Sequence, residues 1–396
     1  VTRAGLRFGI TQRRPEARAF PGLAACMLLG LLTSCEAESR ARSTCHLRPA
    51  ATVAHASTLR FDDAALTTRE GEVLLAWSEP AGLFTRRLDV QGKPTHAAQR
   101  IAERCVGGLA VALHRAHVHV ACSRPRETDG GELVLLTLGD AGEALTTQKL
   151  AEPGADARGV SLVSAGDALL VGFHDGHRGA YAARVLIVEG DTVSSVTLSD
   201  PAFAASAPTL VTQGGTWIAA WSETRFEVQG TSHTRLMAKS HGKSARVVGE
   251  TSVSDPAPSL SWDARSPFVV FRDRPGSSTR AELFAVRLTE GLATRGEPQR
   301  VGRANGEGGP SALSCDSLRV ALLPRDYASE RYVAVHALDA ALKNLDAGHQ
   351  YYANSRDFVS AAGTCVGDEL LALAMERGSP SHASISIVSM RFRCDP

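Results

Sequence analysis

The sequence predicts an all-β fold: a seven-bladed β-propeller of four-stranded antiparallel blades, closed by an N-terminal outer strand in the seventh blade. Three observations carry that expectation. A segment of about fifty residues recurs seven times between Ser57 and the C-terminus, a period typical of propeller blades. Apolar runs end in a small residue, a bulky one and an acid: Ala76-Trp77-Ser78-Glu79, Gly172-Phe173-His174-Asp175, Ala220-Trp221-Ser222-Glu223 and Val270-Phe271-Arg272-Asp273. Trp77 and Trp221 lie 144 residues apart, three spacings of 48, with Cys122 and Phe173 marking the copies between.

Each copy divides into four β-competent runs separated by Gly, Asp and Pro clusters, the usual hairpin punctuation. In the first copy these are Ala64–Thr68, Val73–Trp77, Gly82–Val90 and Gln99–Ala102. The fifth follows with Ser259–Trp262, Phe268–Phe271, Glu282–Leu288 and Gln299–Gly302. Second runs such as Val269-Val270-Phe271 are apolar on consecutive positions, as in strands covered on both faces. The copies span about residues 57–103, 104–152, 153–200, 201–252, 253–303, 304–355 and 356–396. The last is short: its third run, Ser384–Phe392, ends near the C-terminus. Thr52–Ala56 resembles the outer runs elsewhere, so it is expected to complete blade seven and remove the open edge. The weak sixth copy, Leu318–Pro324, leaves six or eight blades as alternatives.

The chain has 396 residues, 43 Lys and Arg against 42 Asp and Glu, and a formal net charge of +1. That balance, with no concentrated basic face, argues against a nucleic-acid partner. At 43% hydrophobic the chain can bury a sizeable core, and repeats account for its length without further domains.

Residues 1–34 read as a signal peptide. Arg13, Arg14 and Arg18 precede an apolar stretch from Phe20 to Leu32, too short for a comfortable span of about 20 residues. Leu32-Thr33-Ser34-Cys35 resembles the lipobox of bacterial lipoproteins at all four positions. That resemblance implies cleavage before Cys35 and diacylglyceryl attachment to its thiol. With Glu36 rather than Asp next, it implies an outer-membrane address in a Gram-negative bacterium. Two or three acyl chains anchor stably, since each buried methylene contributes about 0.8 kcal/mol. Residues 35–50 are expected to be a polar tether, and 51–396 the propeller.

Six cysteines remain in the exported chain, an even set that suggests disulfides. Cys45 lies before the closing strand and Cys394 after its expected partner. Cys315 and Cys365 occupy equivalent inner-turn positions of blades six and seven. Cys105 and Cys122 then remain, near one end of blade two. No Cys-x-x-Cys or zinc-type spacing occurs, and no metal or cofactor is expected.

The acids ending the second strands (Glu79, Asp175, Glu223, Asp273, with Asp326 and Glu376) are expected to ring one face, accompanied by Arg225, Arg272, Arg274, Arg325 and Arg377. A recurring acid is better explained by capping turn amides or pairing a neighbouring blade's Arg than by one asymmetric site. His174, Asp175 and His177 fall together in blade three, and with Glu223 and Asp273 they make a candidate ligand face. His117 and His119 alternate along a strand near His114, a possible but incomplete metal pair.

No sialidase-type Ser-x-Asp-x-Gly-x-x-Trp repeat, Gly-His…Trp-Asp pairing or kelch double glycine is present. Val73–Glu79 with Leu83–Gly92, and Ile218–Glu223, resemble the units of exported bacterial Trp-x-acid repeat proteins. That resemblance implies an exported propeller and supplies no catalytic residues. The expected function is a lipid-anchored, monomeric binding or assembly module, without catalysis. Its protein or glycan ligand would meet the second-to-third-strand loops, of which Ser123–Gly131 and Thr224–Ser232 are longest. An envelope hydrolase using the same face is the alternative.

Overall fold

The computed structural model describes residues 44–395, apart from 57–62, 127–129, 151–155, 177–180, 228–231, 277, 279, 305–308, 317, 328–329, 346–347, 353–356 and 378–384. Among these residues the chain forms seven antiparallel sheets, and no helix is long and apolar enough to cross a membrane. Blade 1 comprises β2 (Asp63–Arg69), β3 (Glu72–Glu79), β4 (Gly82–Asp89) and β5 (Gln99–Ala102). Blade 2 comprises β6 (Leu109–His114), β7 (His117–Pro125), β8 (Gly131–Leu138) and β9 (Ala144–Lys149). Blade 3 comprises β10 (Ala157–Ala165), β11 (Ala168–Asp175), β12 (Ala182–Glu189) and β13 (Thr192–Thr197).

Blade 4 comprises β15 (Thr209–Gln213), β16 (Thr216–Phe226), β17 (Ser232–Ser240) and β18 (Arg246–Thr251). A two-residue fifth strand, β14 (Ala204–Ala205), pairs with the far end of β16. Blade 5 comprises β19 (Ser259–Trp262), β20 (Pro267–Asp273), β21 (Glu282–Leu288) and β22 (Thr294–Arg303). Blade 6 comprises β23 (Ser311–Cys315), β24 (Leu318–Tyr327), β25 (Glu330–Leu338) and β26 (His349–Tyr352), so the weak sixth copy is a full blade. Blade 7 comprises β27 (Asp357–Val366), β28 (Glu369–Arg377) and β29 (Ile385–Asp395), with β1 (Thr44–Ala56) as its outer strand.

The second strands are covered on both sides because alternate side chains enter different inter-blade cores. On β3, Val73, Leu75 and Trp77 pack toward blade 7, while Leu74 and Ala76 pack toward blade 2. The pattern repeats until seven such cores surround the axis, the last joining blade 6 to blade 7. Every blade therefore has a neighbour on both faces, and the ring is closed.

The closing strand is longer than the sequence suggests. It begins at Thr44 rather than near residue 51, inside the segment read as tether, and pairs Cys45 with Cys394 and Ala56 with Ile385. The Arg- and Ser-rich composition hid a period-two pattern. Cys45 and Leu47 join the core between blades 6 and 7, whereas His46 and Arg48 are exposed. Pro49 is tolerated because it sits at a register shift on an outer strand. Disulfides join Cys45 to Cys394, Cys105 to Cys122 and Cys315 to Cys365.

Third-to-fourth-strand turns lock blades 1 and 2 onto the blades before them. Ser389 Oγ donates to Gly92 O at 2.8 Å, and Thr85 Oγ1 donates to Gly142 O at 3.3 Å. Such turns need a left-handed residue, supplied by Gly92 at φ 78° and Gly142 at φ 87°. In blades 5 and 6 the position falls to Leu292 (φ 63°) and Leu342 (φ 64°), both in inter-blade cores. Burying each leucine contributes roughly 1.5–3 kcal/mol. That offsets a left-handed cost of about 1–2 kcal/mol.

Candidate binding face

One face of the ring carries the second-to-third-strand loops and the segments that bring the chain into each blade. The repeated acids stand at this face, and the structure commits them to the framework. Asp175 Oδ1 accepts the Asp156 N–H at 3.0 Å, Glu223 Oε1 that of Asp200 at 3.0 Å, and Asp273 Oδ1 that of Ser252 at 2.9 Å. Each donor lies in the segment leading into the acid's own blade. The acid lies on the bulky residue's side of the second strand, so it faces the preceding blade, from which that segment arrives.

Charge partners reinforce these caps. Arg184 on β12 lies 3.6 Å from Asp175, and Arg235 on β17 lies 2.7 Å from the almost fully buried Glu223. Burial alone would raise the pKa of Asp273. The Ser252 and Arg274 N–H groups and the hydroxyls of Thr251 and Ser252 outweigh it and hold the carboxyl below its ordinary value.

The serine after the bulky residue works in the opposite direction. Ser78 Oγ donates to Cys105 O at 2.8 Å and accepts its N–H at 2.9 Å, and Ser123 Oγ donates to Ala157 O at 2.6 Å. Acid and serine thus clasp the preceding and following connections. The capping of turn amides agrees with expectation, but the arginines do not. Arg184 and Arg235 come from the acid's own blade, and Arg272 pairs with Asp255 at 2.9 Å. The register of β16 on β17, which sets Glu223 opposite Arg235, was the signal available for one of them.

Glu79 departs from this pattern. Gly82 occupies the position opposite it, where blade 4 has Arg235. Among the described residues, no hydrogen bond reaches Glu79 Oε2 or Trp77 Nε1, and burial raises the Glu79 pKa. The segment leading into blade 1, residues 57–62, lies outside the described residues.

His174 and Asp175 do not assemble as a general-base pair. Neighbours on β11 point to opposite faces, so Asp175 turns toward blade 2 and His174 toward blade 4. Among the described residues no hydrogen bond reaches the buried His174 Nδ1, and its ring meets Tyr181 edge-on at 5.4 Å. Burial first, then the Arg158 cation, lowers the His174 pKa, with Asp156 and Asp175 opposing. His177, the side chains of Asp326, Glu376, Arg325 and Arg377, and Cys35 lie outside the described residues.

The two loops expected to be longest are partly strand. Pairing continues through Pro125 with Gly131 and through Phe226 with Ser232. The β16–β17 hairpin therefore projects past the acid position by three cross-strand pairs and presents Phe226 71% exposed. Tyr181 is exposed on the same face of blade 3, and Arg235 Cζ stacks 3.9 Å above the Phe203 ring.

Away from this face, His114 and His119 meet edge-on at 5.8 Å, while His117 is exposed. His114 Nδ1 lies 2.8 Å from Ser164 Oγ, and His119 Nδ1 lies 3.3 Å from Thr137 Oγ1. Among the described residues, no group of three or more His, Cys, Asp or Glu side chains is placed to hold a metal ion. A buried ion-pair network, not anticipated from the sequence, joins blades 5 and 6. Asp263 Oδ2 accepts from Arg287 at 2.6 Å and from Arg319, while Oδ1 accepts the Arg265 and Ser266 N–H groups. Burial alone would raise the Asp263 pKa, but these donors hold it well below the carboxylate range.

No protein-family model and no curated protein matches the sequence. Similar solved structures include a Trypanosoma rangeli sialidase, at 9% identity and a TM-score of 0.48 over 76% of this chain and 56% of that one. Another is the subtype N10 neuraminidase-like protein of A/little yellow-shouldered bat, at 10% identity and a TM-score of 0.48 over 89% of this chain and 100% of that one. A third is an alpha-L-arabinofuranosidase from Lactobacillus brevis, at 9% identity and a TM-score of 0.38 over 56% of this chain and 86% of that one. This chain spans about 56% of the length of the trypanosomal enzyme. At these identities no residue role passes from them to this chain.

Proposed function

We propose that this protein is an exported, lipid-anchored propeller that binds a protein partner through the face carrying the β16–β17 hairpin. The observation that carries this reading is the division of labour on that face. Asp175, Glu223 and Asp273 are spent on framework hydrogen bonds, while Phe226 and Tyr181 stand exposed on a rigid scaffold. Exposed aromatics are the side chains that most often anchor protein interfaces. Three disulfides support an oxidising compartment, and the Leu32–Cys35 tetrad supports acylation at Cys35.

A photo-crosslinking amino acid placed at Phe226, at Tyr181, and at Leu145 on the outer strand of blade 2 tests the binding face in cells. The reading expects a discrete crosslinked species from the first two positions alone. Equal yields from all three, or none from Phe226, would overturn it. Fatty-acid labelling of the Cys35→Ala chain tests the anchor: label that persists removes it. The hydrolase alternative rests on His174 Nδ1, buried beside Tyr181 with no hydrogen bond among the described residues. Turnover of a chromogenic ester or glycoside that disappears in His174→Ala would favour it.

A further inference from the structure

We propose that the seam between blades 7 and 1 is a docking surface for the phosphate headgroups of an anionic bilayer. It would set this rim of the ring against the membrane and turn the β16–β17 face away from it. The proposal rests on the reading of an exported chain anchored at Cys35.

The closing strand β1 enters at the face opposite the binding loops, where Thr44 pairs with Asp395. From there the register sets His46 opposite Arg393 and Arg48 opposite Arg391. Arg48 and Arg391 thus stand as directly opposed like charges, an arrangement that destabilises a sheet. Cys45, Leu47, Phe392 and Cys394 pack toward blade 6. The four basic side chains therefore face the other way, toward the Gln91–Lys93 turn of blade 1. They line a cleft of about 250 Å³ there with Lys93 and Glu369.

Glu369 is the one acid of that lining. It bonds Arg391 and lies 3.9 Å from Arg393. Among the described residues, neither Arg48 nor Lys93 has a carboxylate in ion-pair reach.

The chain's own covalent reach points to the occupant. Eight residues separate Thr44 from the acylation position, a span of at most roughly 30 Å when extended. A basic patch so close to an anchor meets headgroups at high effective concentration, so weak individual contacts suffice. Each cation near an anionic surface strengthens association roughly fivefold.

Residues 36–396, which contain every described blade and carry no lipid, would be sedimented with phosphatidylcholine vesicles, with and without phosphatidylglycerol. The proposal expects binding only to the anionic vesicles, released by salt. It expects Arg48→Glu with Lys93→Glu to weaken that binding by at least about twentyfold. Arg48→Lys should retain it, and an unchanged melting temperature would show that the exposed substitutions leave the fold intact. Equal binding to both vesicles, or a double variant that binds like the parent, overturns the proposal. Fatty-acid label on Cys35 without phosphatidylglycerol binding removes the docking surface and leaves the anchor. Binding without label does the reverse.

Discussion

The indole of Trp221 donates its Nε1 proton to Glu223 Oε1 across 3.0 Å, inside the core between blades 3 and 4. The same carboxylate also takes the Asp200 N–H and Arg235, so the Trp-Ser-Glu segment works as a structural clamp. Glu223→Gln should destabilise the protein by about 1–3 kcal/mol, because it removes the buried counter-charge of Arg235 and leaves only the more exposed Asp200, 3.4 Å away. Chemical denaturation of the variant measures this, and a change within experimental error would show that the acid is not a clamp.

Blade 1 should respond in the opposite direction. Among the described residues Glu79 is buried without the arginine that Glu223 enjoys, so its ionised form carries a desolvation cost. Its folded pKa lies above the unfolded one, so the stability it contributes is present at low pH and lost as pH rises through the folded value. Glu79→Gln removes the charge and is expected to raise the melting temperature at pH 7. A lower one would mean that the carboxylate is paired.

Blades 5 and 6 should depend on one carboxylate. Asp263→Asn leaves Arg287 and Arg319 facing each other without an anion, and breaking a buried pair this way costs about 3–5 kcal/mol. Replacing all three residues with apolar ones should cost much less, since no buried charge remains. Equilibrium unfolding of the single and triple variants separates the two, and equal losses would contradict the account.

Acid sensitivity is expected from blade 2. Burial, then the charges of His114 and His117, lowers the His119 pKa from its ordinary value to about 4. The unfolded chain therefore takes up this proton first. The contribution is complete above pH 6.5 and is lost as pH falls toward 4, on the order of 2 kcal/mol after solvent screening. Melting curves at pH 7 and pH 4.5 should differ less for His119→Gln than for the parent. An identical difference would place the sensitivity elsewhere.

The period made the blades legible because each copy keeps its hairpin punctuation and its apolar second strand. The start of β1 was not legible. His46, Arg48 and Pro49 gave a strand the composition of a tether, and only pairing with β29 reveals the alternation. Candidate chemistry was legible as residue types but not as directions. Adjacent letters suggested that His174 and Asp175 cooperate, yet a strand sends them to opposite faces. Arg319 reaches Asp263 from the next blade, a contact set by tertiary packing that no local spacing announces. Leu292 and Leu342 stand at the left-handed turn position that Gly92 and Gly142 fill in other blades, and both are buried.

Closure of the ring by β1 gives every blade a neighbour on both faces and puts Thr44 opposite Asp395. Peptide mapping of the protein without reduction tests it most directly. The account predicts three linked pairs: Cys45 with Cys394, Cys105 with Cys122 and Cys315 with Cys365. A peptide joining Cys105 to Cys394 would place the N-terminal strand elsewhere and contradict the closed ring.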